Sequence, residues 1–119
     1  MSHPGKLNTF KIAKDAGYKN YLYFVSTESV EINIRRVEAR VAKGGHPVAV
    51  EKIIERYNRS MDLVSQMIPY CHRCFVFDNS LEGNTRFILE IFEGSQILIQ
   101  TDDEIPAWVD TYLLQKLGV

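Results

Sequence analysis

The chain has 119 residues, of which 45% are hydrophobic and 24% charged, and its formal net charge is −1. This length suits a single domain with a sizeable core, and the hydrophobic fraction excludes an intrinsically disordered chain. The near-neutral charge excludes a global field that would draw the protein onto nucleic acid or an anionic membrane. No apolar run approaches the roughly 20 residues of a membrane-spanning helix. We therefore expect a cytoplasmic protein with neither a membrane nor a nucleic-acid partner.

The first elements in chain order are a short helix and a strand. Ser2 or His3 can cap a helix that carries Pro4 in its first turn and stops at Gly17. Residues 20–25 (NYLYFV) are aromatic and β-branched, which is typical of a strand.

Two further helices are predicted within residues 30–68, and the pair Gly44-Gly45 separates them. Apolar residues recur at helical spacing in both segments. A short strand over residues 74–77 follows the second helix. A strand, two helices and a strand form a crossover connection, which predicts two parallel strands in one sheet. The apolar positions are Val30, Ile34, Val37 and Val41 in the first helix, and Val50, Ile53, Tyr57, Met61, Val64 and Ile68 in the second.

The last part of the chain predicts an antiparallel hairpin and a helix. Apolar residues alternate over 87–92 and 96–99 around Glu93-Gly94, so we place a hairpin within residues 86–101. Pro106 then begins an amphipathic helix that ends at Gly118, with Trp108, Tyr112 and Leu113 facing inward. The predicted fold is one α/β domain over residues 1–119, because no linker divides the chain.

The two cysteines, Cys71 and Cys74, form a Cys-His-Arg-Cys sequence. This spacing also occurs in redox pairs and in zinc sites. A redox pair usually lies where a helix begins, whereas this pair follows a helix, and the only other histidines, His3 and His46, lack useful spacing for zinc. We predict two buried or half-buried, reduced thiols and no metal site.

Four arginines lie on the two middle helices at spacings of three or four residues: Arg36 and Arg40 on the first, Arg56 and Arg59 on the second. Residues at this spacing share one helix face, so the two basic faces can converge on a bound polyanion. The alternative is that both are solvated faces, paired with neighbouring glutamates. Spacing alone does not decide between these two interpretations.

A larger pattern, from Met1 to about Ser80, resembles the zeta-toxin-like kinases, which are P-loop proteins. Its most specific part is a two-helix lid pattern, and a second match is a strand end with the sequence Phe-Asp-Asn-Ser. Arg35 departs from the family pattern, so it receives no role. The matching residues are Asn33, Arg36-Val37, Arg40-Val41, Gly44-Gly45-His46, Ile53 or Ile54, Arg56-Tyr57 and Phe77-Asp78-Asn79-Ser80.

The resemblance implies roles for individual residues. The lid candidates are the four arginines 36, 40, 56 and 59, which would close on a nucleotide triphosphate and neutralise charge on the transferred group. Cofactor contacts would come from Arg40, Arg56, Asp78 and Asn79, the last two in a loop near the nucleotide base, although the same residue types also suit a plain turn. ATP and Mg²⁺ are the implied cofactors. A sugar nucleotide is the implied substrate, within a toxin–antitoxin role.

One essential feature of such kinases does not occur in this sequence. GxxxxGK[ST], the loop that cradles the phosphates with a lysine and a magnesium-binding hydroxyl, is absent from all 119 residues. We therefore expect the carboxy-terminal part of a truncated or split kinase, inactive alone, with a missing amino-terminal half or a second copy as partner. Met1 would then correspond to an internal methionine of the family. The alternative is a non-catalytic, homodimerising interaction module derived from the same fold.

Overall fold

The structure, a computed structural model, describes residues 5–118. The expected cap at Ser2 or His3, and Pro4, lie outside these residues. The described chain is a mixed α/β domain, as predicted from the sequence. Its longer helices are α1 (Gly5–Asp15), α2 (Val30–Ala42) and α3 (Val50–Met67), and its strands are β1 (Tyr21–Ser26), β2 (Arg73–Leu81), β3 (Asn84–Phe92) and β4 (Gln96–Ile99).

The four strands form one sheet in the order β1-β2-β3-β4. β1 and β2 are parallel, with Tyr21 opposite Arg73 and Ser26 opposite Asp78. The predicted crossover through α2 and α3 is therefore confirmed. β2, β3 and β4 are antiparallel neighbours, and the predicted hairpin is formed by β3 and β4. This arrangement leaves β1 and β4 at the two edges of the sheet.

The hydrophobic core lies on one side of the sheet. Alternate residues of the strands, such as Phe24, Val76 and Leu89, meet α3 and the C-terminal segment there. Full burial of one such side chain contributes roughly 1.5–3 kcal/mol, so this layer accounts for much of the stability. Within residues 5–118, no helix is long and apolar enough to cross a membrane. The most deeply buried core residues are Val64, Met67, Ile68, Cys74, Val76, Ile88, Leu89, Val109 and Leu113.

Several predicted elements have different bounds in the structure, and one of them is β3, which begins at Asn84 rather than at Phe87. β2 does not end at Phe77 but continues to Leu81, because it keeps pairing with β3 as far as the turn before Asn84. The last helix is also not regular: a short α-helical turn, Ala107–Val109, passes into a π-helix over Asp110–Leu114. Trp108 and Leu113 are buried there as predicted, whereas Tyr112 is only half-buried.

The β3–β4 turn is made by Glu93 and Gly94, as the sequence pattern predicts. Both residues have positive φ angles, 52° and 76°. Two successive positive φ values give a turn whose twist matches that of the adjoining strands. The backbone of Gly94 also lies against Pro69, so a Cβ placed there would be 3.1 Å from the Pro69 Cα.

Candidate functional site

A cleft of about 480 Å³ opens where β1 ends, between α2 and α3. Strand ends are where α/β folds commonly bind ligands, because loops and helix ends meet there. Apolar residues of β1 form part of the cleft wall, and polar side chains of β1, β2, α2 and α3 form the rest. The polar lining residues are Ser26, Thr27, Asn33, Arg36, Arg56, Tyr57, Ser60 and Asn79.

Hydrogen bonds hold α2 and α3 against the end of β1. The Tyr57 hydroxyl on α3 donates to the Thr27 carbonyl oxygen over 2.8 Å. The Thr27 hydroxyl lies 2.8 Å from the side-chain oxygen of Asn33 on α2 and 3.0 Å from the Ser29 carbonyl oxygen, and it donates its single proton to one of them. Thr27 is only 4% exposed, so these bonds lie where water competes little. They fix the shape of the cleft at the end of β1.

Burial raises the pKa of Tyr57 to about 12, and the neighbouring Tyr112 and Glu31 add to the shift. Removing the proton would place a negative charge in a poorly solvated position, close to other acidic groups. Tyr57 therefore keeps its proton, and its bond to Thr27, throughout the physiological pH range.

Arg36 is held in place by the backbone of β2. Its Nη2 atom donates to the carbonyl oxygens of Asn79, at 2.7 Å, and of Ser80, at 3.2 Å. A guanidinium has five N–H donors, so two bonds to the strand leave donors for a ligand. Arg36 is thus a cation of fixed position at the cleft wall.

The structure separates the four predicted lid arginines into different environments. Arg36 and Arg56 line the same cleft, from α2 and α3 respectively. Arg56 also lines an adjoining hollow of about 350 Å³, together with Arg40 and His46. Arg59 instead forms an ion pair with Glu55 along the exposed side of α3, as expected for a solvated face. Two pairs of these arginines therefore share a lining: Arg36 with Arg56 in the cleft, and Arg40 with Arg56 in the adjoining hollow.

The family resemblance implies that Asp78 and Asn79 lie in a loop. The structure instead places both of them in β2. Asp78 is completely buried, and its carboxylate accepts hydrogen bonds from Trp108 and Ser80. Those bonds place the carboxylate inside the protein rather than at the cleft surface. Asn79 does line the cleft, and its side-chain oxygen accepts a bond from Thr85 over 3.1 Å.

Both cysteines are free thiols, and both are buried, as predicted. Burial raises the pKa of Cys71 to about 12 and raises the pKa of Cys74 further. A thiol becomes nucleophilic or binds metal as the thiolate, so these values favour a packing role. Among residues 5–118, no group of three or more His, Cys, Asp or Glu side chains is arranged to hold a metal ion.

Sequence reasoning missed three participants in the site. The sequence pattern placed Thr27 at a strand end followed by a helix cap, and it placed Tyr57 in the apolar stripe of its helix and in the lid pattern of the resemblance. It gave no site role to either residue or to Ser60. A signal existed for Thr27, since a hydroxyl residue directly after a strand often caps the next structural element. Nothing in the spacing indicates that the Tyr57 hydroxyl reaches back to β1.

Comparison with known proteins adds little to this geometry. No family model and no solved structure matches the chain. An uncharacterized protein of Haemophilus influenzae is 37% identical over 51 residues, which make up 43% of this chain and 36% of that protein. The match thus spans little more than a third of that relative's length.

Proposed function

We propose that this chain corresponds to the carboxy-terminal part of a zeta-toxin-like, ATP-dependent small-molecule kinase, and that its lid cleft binds the phosphates of a nucleotide. The observation that carries the proposal is the placement of Arg36 and Arg56 on opposite lid helices around one cleft of about 480 Å³. A phosphate chain needs several fixed donors of positive charge, and planar guanidinium groups match phosphate oxygens in pairs. A volume of this size is within the range of small-molecule sites.

Each lining residue has a distinct task in this proposal. Arg36, fixed by the β2 backbone, orients the phosphates, and Arg56 on α3 neutralises charge from the other side. Asn33 lies beside them in the cleft lining and contacts the Thr27 hydroxyl. Arg40 extends the positive charge into the adjoining hollow. Asp78 acts indirectly, by fixing Ser80 on the strand whose carbonyl groups hold Arg36.

We do not propose that this chain transfers phosphate by itself. The family resemblance implies Mg²⁺ with ATP, and phosphoryl transfer also needs a lysine and a hydroxyl that hold the phosphates and the metal. The sequence has no GxxxxGK[ST] motif to supply them. The chain therefore contributes lid residues, and a partner bearing the phosphate-binding loop would complete a site for a substrate such as a sugar nucleotide. Unpaired thiols at Cys71 and Cys74 suit the cytoplasmic location that we propose with it.

Isothermal titration calorimetry with ATP and with inorganic tripolyphosphate tests the cleft directly. We expect weak binding of both ligands that falls steeply with added salt, because partly exposed arginines are screened. Arg56→Ala should weaken binding by about 10- to 150-fold, since a charge-assisted hydrogen bond to phosphate contributes on the order of 1.5–3 kcal/mol. Arg56 is the better target than Arg36, whose loss would also disturb the strand.

Arg35→Ala is the matched control, because Arg35 is an exposed arginine of α2 that does not line the cleft. It removes the same charge and should leave the affinity nearly unchanged. If Arg35→Ala and Arg56→Ala weaken binding equally, the attraction is a general effect of charge and the cleft is not a site. Absence of binding at low salt would also overturn the proposal.

A further inference from the structure

The side of the sheet opposite the core carries a continuous group of aromatic rings, here called the aromatic face. It consists of Tyr21 and Tyr23 on β1, Phe75 and Phe77 on β2, and Phe87 on β3. The ring centroids of Tyr23 and Phe75 are 4.8 Å apart, and those of Phe77 and Phe87 are 5.0 Å apart, with nearly parallel planes in both pairs. The rings of Tyr23, Phe75, Phe77 and Phe87 thus form one continuous surface across three strands.

Much of this surface is open to solvent. Tyr21 is 51% exposed, Tyr23 65%, and Leu98 on the neighbouring β4 is 52% exposed. An aromatic side chain can bury roughly 150–250 Å², so the aromatic face offers on the order of 400–500 Å² of apolar contact. Proteins that remain monomeric seldom expose contiguous apolar patches of this size without a use for them.

We propose that the aromatic face is a homodimer interface, in which it packs against the same face of a second copy of this chain. A stable interface buries about 800 Å² per partner, so the aromatic face supplies the apolar centre and its surroundings supply the rim. A flat sheet surface fits another flat sheet surface, with the two layers about 10 Å apart. A small ligand would instead need a concave site.

The charges on this face also favour a second copy as the occupant. Arg73 lies over the Phe92 ring and pairs with Glu90, with 2.8 Å between Nη1 and Oε1. In a two-fold dimer each surface meets itself, so an excess of either charge would repel its own copy. One paired arginine and glutamate leave the face neutral. A neutral face of this kind gives no attraction to an anionic membrane or to nucleic acid.

Pairing through the open edge of β1 is a different way to form a dimer. Edge pairing would continue the sheet by backbone hydrogen bonds and leave the aromatic face in water. Face packing covers that surface, and it depends on side chains of β2 and β3, which are not edge strands. Phe87 on β3 therefore distinguishes the two arrangements.

Sedimentation equilibrium of the purified chain, across micromolar concentrations, measures the association. We expect a monomer–dimer equilibrium for the unchanged protein. Tyr21→Lys and Phe87→Lys should each raise the dissociation constant by about 100-fold, because each substitution occurs twice in a symmetric dimer and buries two charges. Ile12→Lys is the matched control, since Ile12 is 61% exposed on α1, outside the aromatic face. It should leave the dissociation constant unchanged.

Circular dichroism of every variant checks that the monomer remains folded, and Tyr21→Lys changes an already exposed position. A monomeric unchanged protein would overturn the proposal. Dimerisation that survives Phe87→Lys would assign association to the β1 edge and would also overturn it. A chain that is monomeric alone but binds a different polypeptide through this face would give the face another occupant, which contradicts the proposal as well.

Discussion

The indole nitrogen of Trp108 donates a hydrogen bond to Oδ2 of Asp78 over 2.7 Å, and both side chains are buried. The bond joins the C-terminal segment to the second strand of the sheet, 30 residues earlier in the chain. The same carboxylate accepts bonds from Ser80, next to the strand carbonyl groups that hold Arg36. The last helical segment is thereby connected to the wall of the candidate cleft.

Asp78→Ala is expected to lower the free energy of unfolding by about 2–4 kcal/mol, because it leaves the buried Trp108 N–H without an acceptor and opens a cavity. Urea denaturation measures the change. In a double-mutant cycle with Trp108→Phe, the two losses should fall short of additivity by about 1–3 kcal/mol. Asp102→Ala, at an exposed position, is the control and should change stability by less than about 0.5 kcal/mol. Additive losses would show that the bond contributes nothing of its own.

The two hairpin glycines provide a matched pair. Gly94 has φ +76° and lies against Pro69, whereas Gly83 has φ +75° and open space, with no atom within 4 Å of the position that a Cβ would take. Gly83→Ala is expected to cost about 1 kcal/mol, which is the strain of a left-handed alanine. Gly94→Ala should cost about 2–4 kcal/mol, since backbone atoms must also move. Thermal denaturation of both variants measures the difference, and equal losses would mean that the Pro69 contact is easily relieved.

Stability is expected to fall in alkaline solution. Burial raises the pKa of Cys71 from 9.0 to about 12 and that of Tyr57 from 10.0 to about 12, and it raises the pKa of Cys74 as well. Below pH 9 these groups are protonated in the folded and unfolded chains alike. Above pH 9 the unfolded chain loses protons first, so the free energy of unfolding decreases from about pH 9 to pH 12.

Denaturation at a series of pH values, for the unchanged protein and for Cys74→Ala, measures this decline. The variant should start less stable but lose less stability between about pH 9 and 12, because one buried thiol no longer titrates. Labelling with a thiol reagent at neutral pH is the independent check. Rapid labelling of Cys71 or Cys74 in the folded protein would contradict their burial.

Purified protein is expected to transfer no phosphate from ATP, because the sequence has no lysine and hydroxyl pair placed to hold the phosphates and Mg²⁺. A coupled assay for ADP, compared with buffer, makes the measurement. Turnover that Arg40→Ala and Arg56→Ala both abolish would reveal an active site formed by this chain alone. Turnover that neither substitution changes would indicate a contaminating enzyme.

The order of the elements and most of their bounds could be predicted from local sequence patterns. Periodicity of 3.6 or 2 residues reflects which side of a helix or strand is buried, so it predicted α2, α3 and the β3–β4 hairpin directly. The glycines indicated chain reversals, because tight turns often need positive φ angles and glycine adopts these without steric cost. The crossover rule then predicted the parallel pairing of β1 with β2.

The roles of the polar residues, by contrast, depend on tertiary packing. Spacing placed four arginines on two helix faces, but the packing of α2 against α3 brought Arg36 and Arg56 to one cleft and left Arg59 with Glu55. Asp78 lies among turn-forming residues in the sequence. In the structure it is buried, and its carboxylate accepts a hydrogen bond from Trp108, which is distant in the chain. The exposed aromatic face depends in the same way on which side of the sheet the helices cover. These outcomes require contacts between residues far apart in the chain, which local sequence patterns do not encode.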